Sequence, residues 1–352
     1  MKKLICIVLA ALLLAAALPA FAEADKPYAG ETITVFNWYD YIDEAVLDQF
    51  TEETGINVEY VMFTTNEEMF TKLDAGAGEY DLIFPSDYII ERMIREDGLE
   101  PLNYDNIPNA AGIQEWLKSP DYDPENAYSV PYMWGTVGIC YNTDMVSEPI
   151  TSWSSMFSEE YKDNVLMLDS VRDTLGIALK YLGYSLNTRD GDELEAAKEL
   201  LIQQKQAGIP AGYLVDEAKD KMVGGEAAMA LMWSGDAIYA LEKADNLVYV
   251  VPDEGSNVWV DCMCIPKGSK HKEAAECFIN FMCDPEIARM NMEHIFYSSP
   301  IRQVAENLTE EEAANGALNP SQDVIARCEY YNDISDSMDL YEGIWMEIRM
   351  AR

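Results

Sequence analysis

From Glu31 onward, apolar positions recur first at every second residue, then at every third or fourth, then at every second again. "ETITVF" alternates and predicts a strand, while "DEAVLDQFTEETG" sets Ala45, Val46 and Phe50 at helical spacing, with acids early and Gly55 as the stop. "INVEYVMF" predicts a second strand, "TNEEMFTKLDAGAG" a helix capped by Thr or Asn, and "YDLIF" a buried strand broken by Pro85. The order β-α-β-α-β implies a parallel sheet with right-handed crossovers. A second set follows "YSVPYMWGTVGICYN": the strand "NVLMLD", the helices "VRDTLGIALKYLG", "GDELEAAKELLIQQKQAG" and "EAKDKMVGG", and the strand "AAMALMW". "SNVWVDCMCIP" reads as a long strand, with helices after it around "KEAAECFINFM" and "PEIARMNMEHIF". No fixed-period repeat or low-complexity linker parts the two sets. Two α/β lobes joined by strands that cross between them are the expectation.

The first 22 residues, "MKKLICIVLAALLLAAALPAFA", follow a different pattern: two lysines, an apolar run, and a small-x-small ending at Ala20-Phe21-Ala22. This predicts an export signal cleaved near Ala22 rather than an anchor, and Cys6 lies too early in the run for lipid attachment. No later stretch is apolar enough to span a bilayer, so a soluble exported protein is expected. The leader holds two of the 24 Lys and Arg and none of the 63 Asp and Glu, which leaves the remainder more acidic than the whole chain at −39. Such a field repels nucleic acid and anionic lipid and attracts cations, although solubility alone accounts for much surface acid. Six cysteines follow the leader, at 140, 262, 264, 277, 283 and 328. Cys262 and Cys264 are poorly placed to bridge each other on one strand, and two histidines without a CxxC pair argue against structural zinc. Buried thiols are expected.

In open parallel sheets, ligands bind beyond the carboxyl ends of the strands, where loops and helix N-termini converge. "TITVF" is followed by Trp38, Tyr39, Asp40 and Tyr41; "YDLIF" by Ser86, Asp87 and Tyr88; "VLMLD" by Ser170 and Asp173; "AMALM" by Trp233 and Asp236. "NVW" brings Trp259 and Asp261, and Tyr297 stands in a later loop. Each has a structural reading as well. A lone Trp after a strand commonly lids a core, Asp40, Asp87 and Asp236 precede or open helices that they would cap, and Asp173 complements a helix dipole. Repetition of acid with ring at several strand ends points instead to an organic cation, whose ammonium groups recover lost hydration from carboxylates while ring faces add cation–π attraction.

The chain resembles the spermidine/putrescine solute receptors of ABC transporters. The segments that carry the likeness are "FNWYDYI", "FTEETGINVEY", "YDLIFPSDY", "YSVPYMWGTVGICYN", "AMALMWSGDA", "VWVDCMCIPKGSKHKEAA" and "HIFYSSP", spread from about Glu31 nearly to Arg352. The resemblance implies a two-lobed α/β periplasmic-binding-protein fold of type II, each lobe a β-sheet flanked by helices, closing on a ligand in the cleft. Its lobes would be residues 31–139 with 262–299, and 140–261 with 300–352. It implies that Trp38 and Tyr41 stack on ligand and that Asp40 binds a terminal amine, with Ser86 and Tyr88 as further contacts. Trp233 and Trp259 would be ring walls, Asp261 the acid facing an amine, Tyr297 a ring near the mouth, and Asp173 a second-lobe acid of spermidine-type members. Ser170 and Tyr331 depart from that type, where an aspartate and a glutamine stand, and Tyr39 falls at a small hydroxyl position. Asp236, and the Asp rather than Glu at position 40, match putrescine-type members, so the pocket is mixed. The partners implied are putrescine or spermidine and the permease subunits of an ABC transporter. A monomer, exported to the periplasm, without cofactor or metal, completes the expectation.

Paired carboxylates with rings also describe glycoside hydrolases, but no GxSxG, HExxH or P-loop accompanies them. Anionic ligands would call for arginines at the strand ends, and calcium or iron for clustered oxygens without rings. A polyamine sensor of the same fold carries the same residues as a transport receptor.

Overall fold

The computed structural model describes residues 26–76 and 79–351; the expected leader lies outside the described residues. Among the described residues nine strands form: β1 (Thr32–Trp38), β2 (Asn57–Phe63), β3 (Leu82–Ile83), β4 (Ser129–Asn142), β5 (Val165–Leu168), β6 (Pro210–Leu214), β7 (Met229–Trp233), β8 (Leu247–Val250) and β9 (Val258–Cys264). β1 lies between β2 and β3 and runs parallel to both, as the β-α-β-α-β order requires, and β9 adds antiparallel to β3. β5 is likewise parallel to β6 and β7.

β4 joins the two halves. It is 14 residues long and buried throughout, so at about 3.3 Å per residue it reaches across both layers. Ser129–Thr136 pairs with β9, whereas Val137–Tyr141 pairs with β7 on one side and Ile139–Asn142 with β8 on the other. The exchange of partners falls between Thr136 and Val137. The lobe limits expected at 139/140 and 261/262 fall within β4 and within β9, and β9 pairs with β3 and with Ser129–Thr136 of β4.

The helices needed below are α1 (Glu44–Thr54), α2 (Asn66–Ala75), α3 (Asp87–Arg95), α4 (Val171–Tyr181), α5 (Gly191–Gln206), α6 (Glu217–Val223), α7 (Ser234–Lys243), α8 (Lys272–Met282), α9 (Pro285–Ile295) and α10 (Met338–Met350). Their ends follow local chemistry. Asp43 accepts from the Ala45 amide to cap α1, and Gly55 closes it at φ +75°, a left-handed position that suits glycine. Thr65 caps α2 through the Glu68 amide. Two strands escaped the sequence pattern: β6 opens on Pro210 and carries Gly212, so it neither alternates nor looks β-prone, and β8 is four residues directly after a helix and its turn. One buried cluster centres on Ile33, Phe36, Phe50 and Phe278, and another on Trp153, Leu175, Leu201 and Tyr341. The six cysteines among the described residues are free thiols, with Cys140, Cys262, Cys264 and Cys283 buried.

Candidate ligand-binding site

Helices α3, α4 and α7 each start directly after a strand end or loop on which acids and rings were expected. Asp261, in the middle of β9, is buried and accepts from two hydroxyls, Ser86 Oγ at 2.6 Å and Tyr41 OH at 2.9 Å. Burial pushes its pKa up to about 6, and those two hydrogen bonds draw it back. Ser86 occupies the N-cap position of α3 but makes no side-chain cap, so its hydroxyl is free for Asp261. From there a network runs outward: Asn66 Nδ2 donates to Ser86 Oγ and to Tyr88 OH, each at 3.0 Å, and Tyr88 donates to Glu67 at 3.1 Å.

Rings stand beside this carboxylate. Tyr41 meets Tyr132 edge to face at 5.5 Å and Tyr297 at 5.7 Å, and Tyr297 meets Trp259 at 5.0 Å. Two glycines allow this closeness. A Cβ on Gly135 would lie 2.6 Å from the Trp259 ring, and one on Gly235 would lie 2.4 Å from the Tyr297 ring. Tyr297 stands within the fields of both Asp236 and Asp261; burial first, then those two charges, raise its pKa well above the ordinary value. The indole Nε1 of Trp259 is buried and has no protein partner.

Asp236 is the third residue of α7. Trp233 holds the N-cap position and offers no capping oxygen, and the carboxylate turns instead to Lys219 of α6, with Nζ 3.1 Å away. Burial raises the Asp236 pKa and Lys219 opposes that rise. On Lys219, burial works against the charge, but Asp236 and the nearby Asp216 and Asp220 hold its pKa above the ordinary value. The pair is an ion pair. Asp173, the third residue of α4, is buried and accepts from Ser170 Oγ at 2.7 Å and Tyr331 OH at 3.0 Å. Burial raises its pKa, with the hydrogen bonds and Arg172 pulling the other way. Arg172 lies 4.2 Å from the Tyr331 ring and 5.8 Å from that of Tyr88, and so links the α4 end to the α3 end.

Of the expected site residues, Tyr41, Ser86, Trp259, Asp261 and Tyr297 form one contiguous group, with Tyr88 joined to it through Asn66. Asp236 meets this group at Tyr297. Asp173 belongs to a neighbouring group with Ser170 and Tyr331. Trp38 is half-buried: its indole N–H donates to the Phe84 carbonyl at 2.8 Å and its ring lies 4.6 Å from Phe63. Asp40 stands apart, exposed at a left-handed φ of +53°, and Asp43 rather than Asp40 caps α1. Asp87 is not a cap either; it is fully buried and accepts from the Tyr88 and Val260 amides, tying α3 to β9. Asn66, Tyr132 and Lys219 were not foreseen. Asn66 looks like a capping residue beside Thr65, Tyr132 lies inside a strand, and Lys219 follows a strand that the pattern did not reveal.

Carboxylates and rings gathered where a strand crosses between two α/β halves are an arrangement that suits a solute receptor. The bacterial extracellular solute-binding protein family matches residues 45–320, and the chain belongs to that family. A spermidine/putrescine-binding periplasmic protein of Salmonella typhimurium is 34% identical over 343 residues, which is 97% of this chain and 98% of the relative. A putrescine-binding periplasmic protein of Pseudomonas aeruginosa is 31% identical over 348 residues, 93% of each. A solved spermidine/putrescine ABC transporter substrate-binding protein from Streptococcus pneumoniae, in complex with calcium and HEPES, is similar at a TM-score of 0.83 and 39% identity, over 91% of this chain and 99% of that one. The two-lobed α/β fold expected from the sequence is the fold of these neighbours.

Proposed function

We propose that this chain is an extracytoplasmic receptor that captures polyamines, putrescine or spermidine, and delivers them to the permease of an ABC transporter. The observation that carries the reading is Asp261: a buried carboxylate held in place by two neutral hydroxyls, beside the rings of Tyr41, Tyr297 and Trp259. No protein cation pairs with it among the described residues, so an incoming ammonium meets a charge that is oriented and uncompensated. Each desolvated ring contact adds about 2 kcal/mol, and several together reach micromolar affinity or better. The relatives named for spermidine and putrescine support the same ligand class. The receptor binds and releases its ligand.

The lobes of the trap are the two halves that β4 joins, the first ending at the partner exchange after Thr136 and regaining the chain at β9. Arg95 of α3 pairs with Asp333 and donates to Ser335 at 3.2 Å, and Glu91 accepts from the Asp333 amide at 2.6 Å. Asp333 precedes α10, which packs on α4 and α5 of the other half. These contacts are of the kind that form as lobes approach, and a ligand touching both lobes favours that closed state by its differential affinity. Isothermal titration with putrescine, cadaverine, spermidine and spermine tests the reading; no binding by any of them would end it. Small-angle scattering should show compaction on binding.

A further inference from the structure

Lys219 brings to Asp236 the same chemical group that a polyamine would bring. Its ammonium lies 3.1 Å from Asp236 Oδ1 and 5.3 Å from the Tyr239 ring centroid, so a carboxylate and a ring face hold it as they would hold a ligand amine. Neither partner is fully exposed: the side chains retain 29% and 15% of their accessibility. The lysine is fixed from behind, because α6 carrying it packs on α7 carrying Asp236. The contrast with Asp261, whose partners are both hydroxyls, is one of charge. A ligand ammonium arriving at Asp261 adds a new ion pair, whereas one arriving at Asp236 must displace Lys219 or share a carboxylate already neutralised, with a like charge beside it.

Resting on the polyamine reading above, we propose that Lys219 is a resident counter-ion that competes with a ligand amine for Asp236 and so sets how tightly a diamine is held. A diamine has two ammonium groups to satisfy. With one at Asp261, its second gains little at Asp236 while Lys219 is in place. Removing the lysine charge exposes a carboxylate that burial has already stripped of much of its water, and that carboxylate then recruits the second amine.

The test is titration of putrescine and spermidine into the full exported chain and its variants. Lys219→Met, which keeps length and loses charge, should tighten putrescine by about tenfold and move the putrescine-to-spermidine ratio toward putrescine, a gain in the range measured for close charge pairs at binding surfaces. Lys219→Arg keeps the charge and should keep the wild-type ratio. Asp236→Asn placed on Lys219→Met should remove the gain. If Lys219→Met does not fold by thermal melting, Lys219→Gln serves in its place. Unchanged or weaker putrescine binding in both, or a gain that survives Asp236→Asn, overturns the competition while leaving the polyamine receptor intact. Failure of the wild type and every variant to bind either amine would overturn both.

Discussion

Asp261 and Asp236 are two buried aspartates that both act on the ring of Tyr297, with opposite surroundings. Asp261 is held by Ser86 and Tyr41, which orient its charge without cancelling it; Asp236 is held by Lys219, which cancels it. Residue type and position relative to a strand made the two look equivalent. The partner decides which charge stays uncompensated and which is compensated, since a neutral donor leaves a buried carboxylate in need of a cation and an ammonium satisfies that need.

Asp261→Asn removes the difference between the two acids most directly. It keeps shape and loses the charge opposite a desolvated ammonium, and should cost about 2–5 kcal/mol of polyamine binding by titration calorimetry. Affinity unaffected by this change would remove Asp261 from the site. Acid achieves the same more gently. With its pKa near 6, Asp261 is ionised at pH 7.5 and about one-tenth ionised at pH 5, so affinity should fall about tenfold across that range and the fall should vanish in Asp261→Asn. The unliganded protein feels the opposite sign. Because the folded pKa lies above the ordinary 3.8, this group's contribution to stability is full below 3.8 and is lost as pH rises through 6. Tyr297→Leu keeps apolar bulk between the two acids and removes the ring face, and should weaken binding by about 0.5–2 kcal/mol; a loss no larger than that of a distant surface control would make Tyr297 a packing residue only. The smallest effect belongs to the double variant Lys219→Met with Asp236→Asn, which removes both members of a self-compensated pair and should bind putrescine within about threefold of wild type.

Much of the fold was legible because its determinants are local. Thr65 and Asp43 cap helices through amides two or three residues away, Gly55 supplies a left-handed stop, and the alternation of β1 marks its buried face, so each could be read in a window of a dozen residues. β6 and β8 were not legible, since a Pro- and Gly-containing pentapeptide and a tetrapeptide become strands by pairing with β5 and β4 rather than by their own preference. The site divides in the same way. Tyr41, Ser86, Trp259, Asp261 and Tyr297 are named by residue type and resemblance, and the fold brings them into one group. Asp40, named on the same grounds, sits exposed in a left-handed turn outside the group.

By itself, then, the chain's sequence determined where acids and rings accumulate and that they do so at the ends and middles of strands shared by two α/β halves. Which acid keeps its charge was decided only in three dimensions. Tyr41 and Asp261 are 220 residues apart and Lys219 and Asp236 are 17 apart on different helices, so no local pattern encodes either contact. Packing of β9 against β3 and β4 brings the hydroxyls to the first aspartate, and packing of α6 on α7 brings the ammonium to the second. The same side chain chemistry thereby yields an open charge at one place and a filled one at the other, because electrostatic satisfaction depends on distance through space.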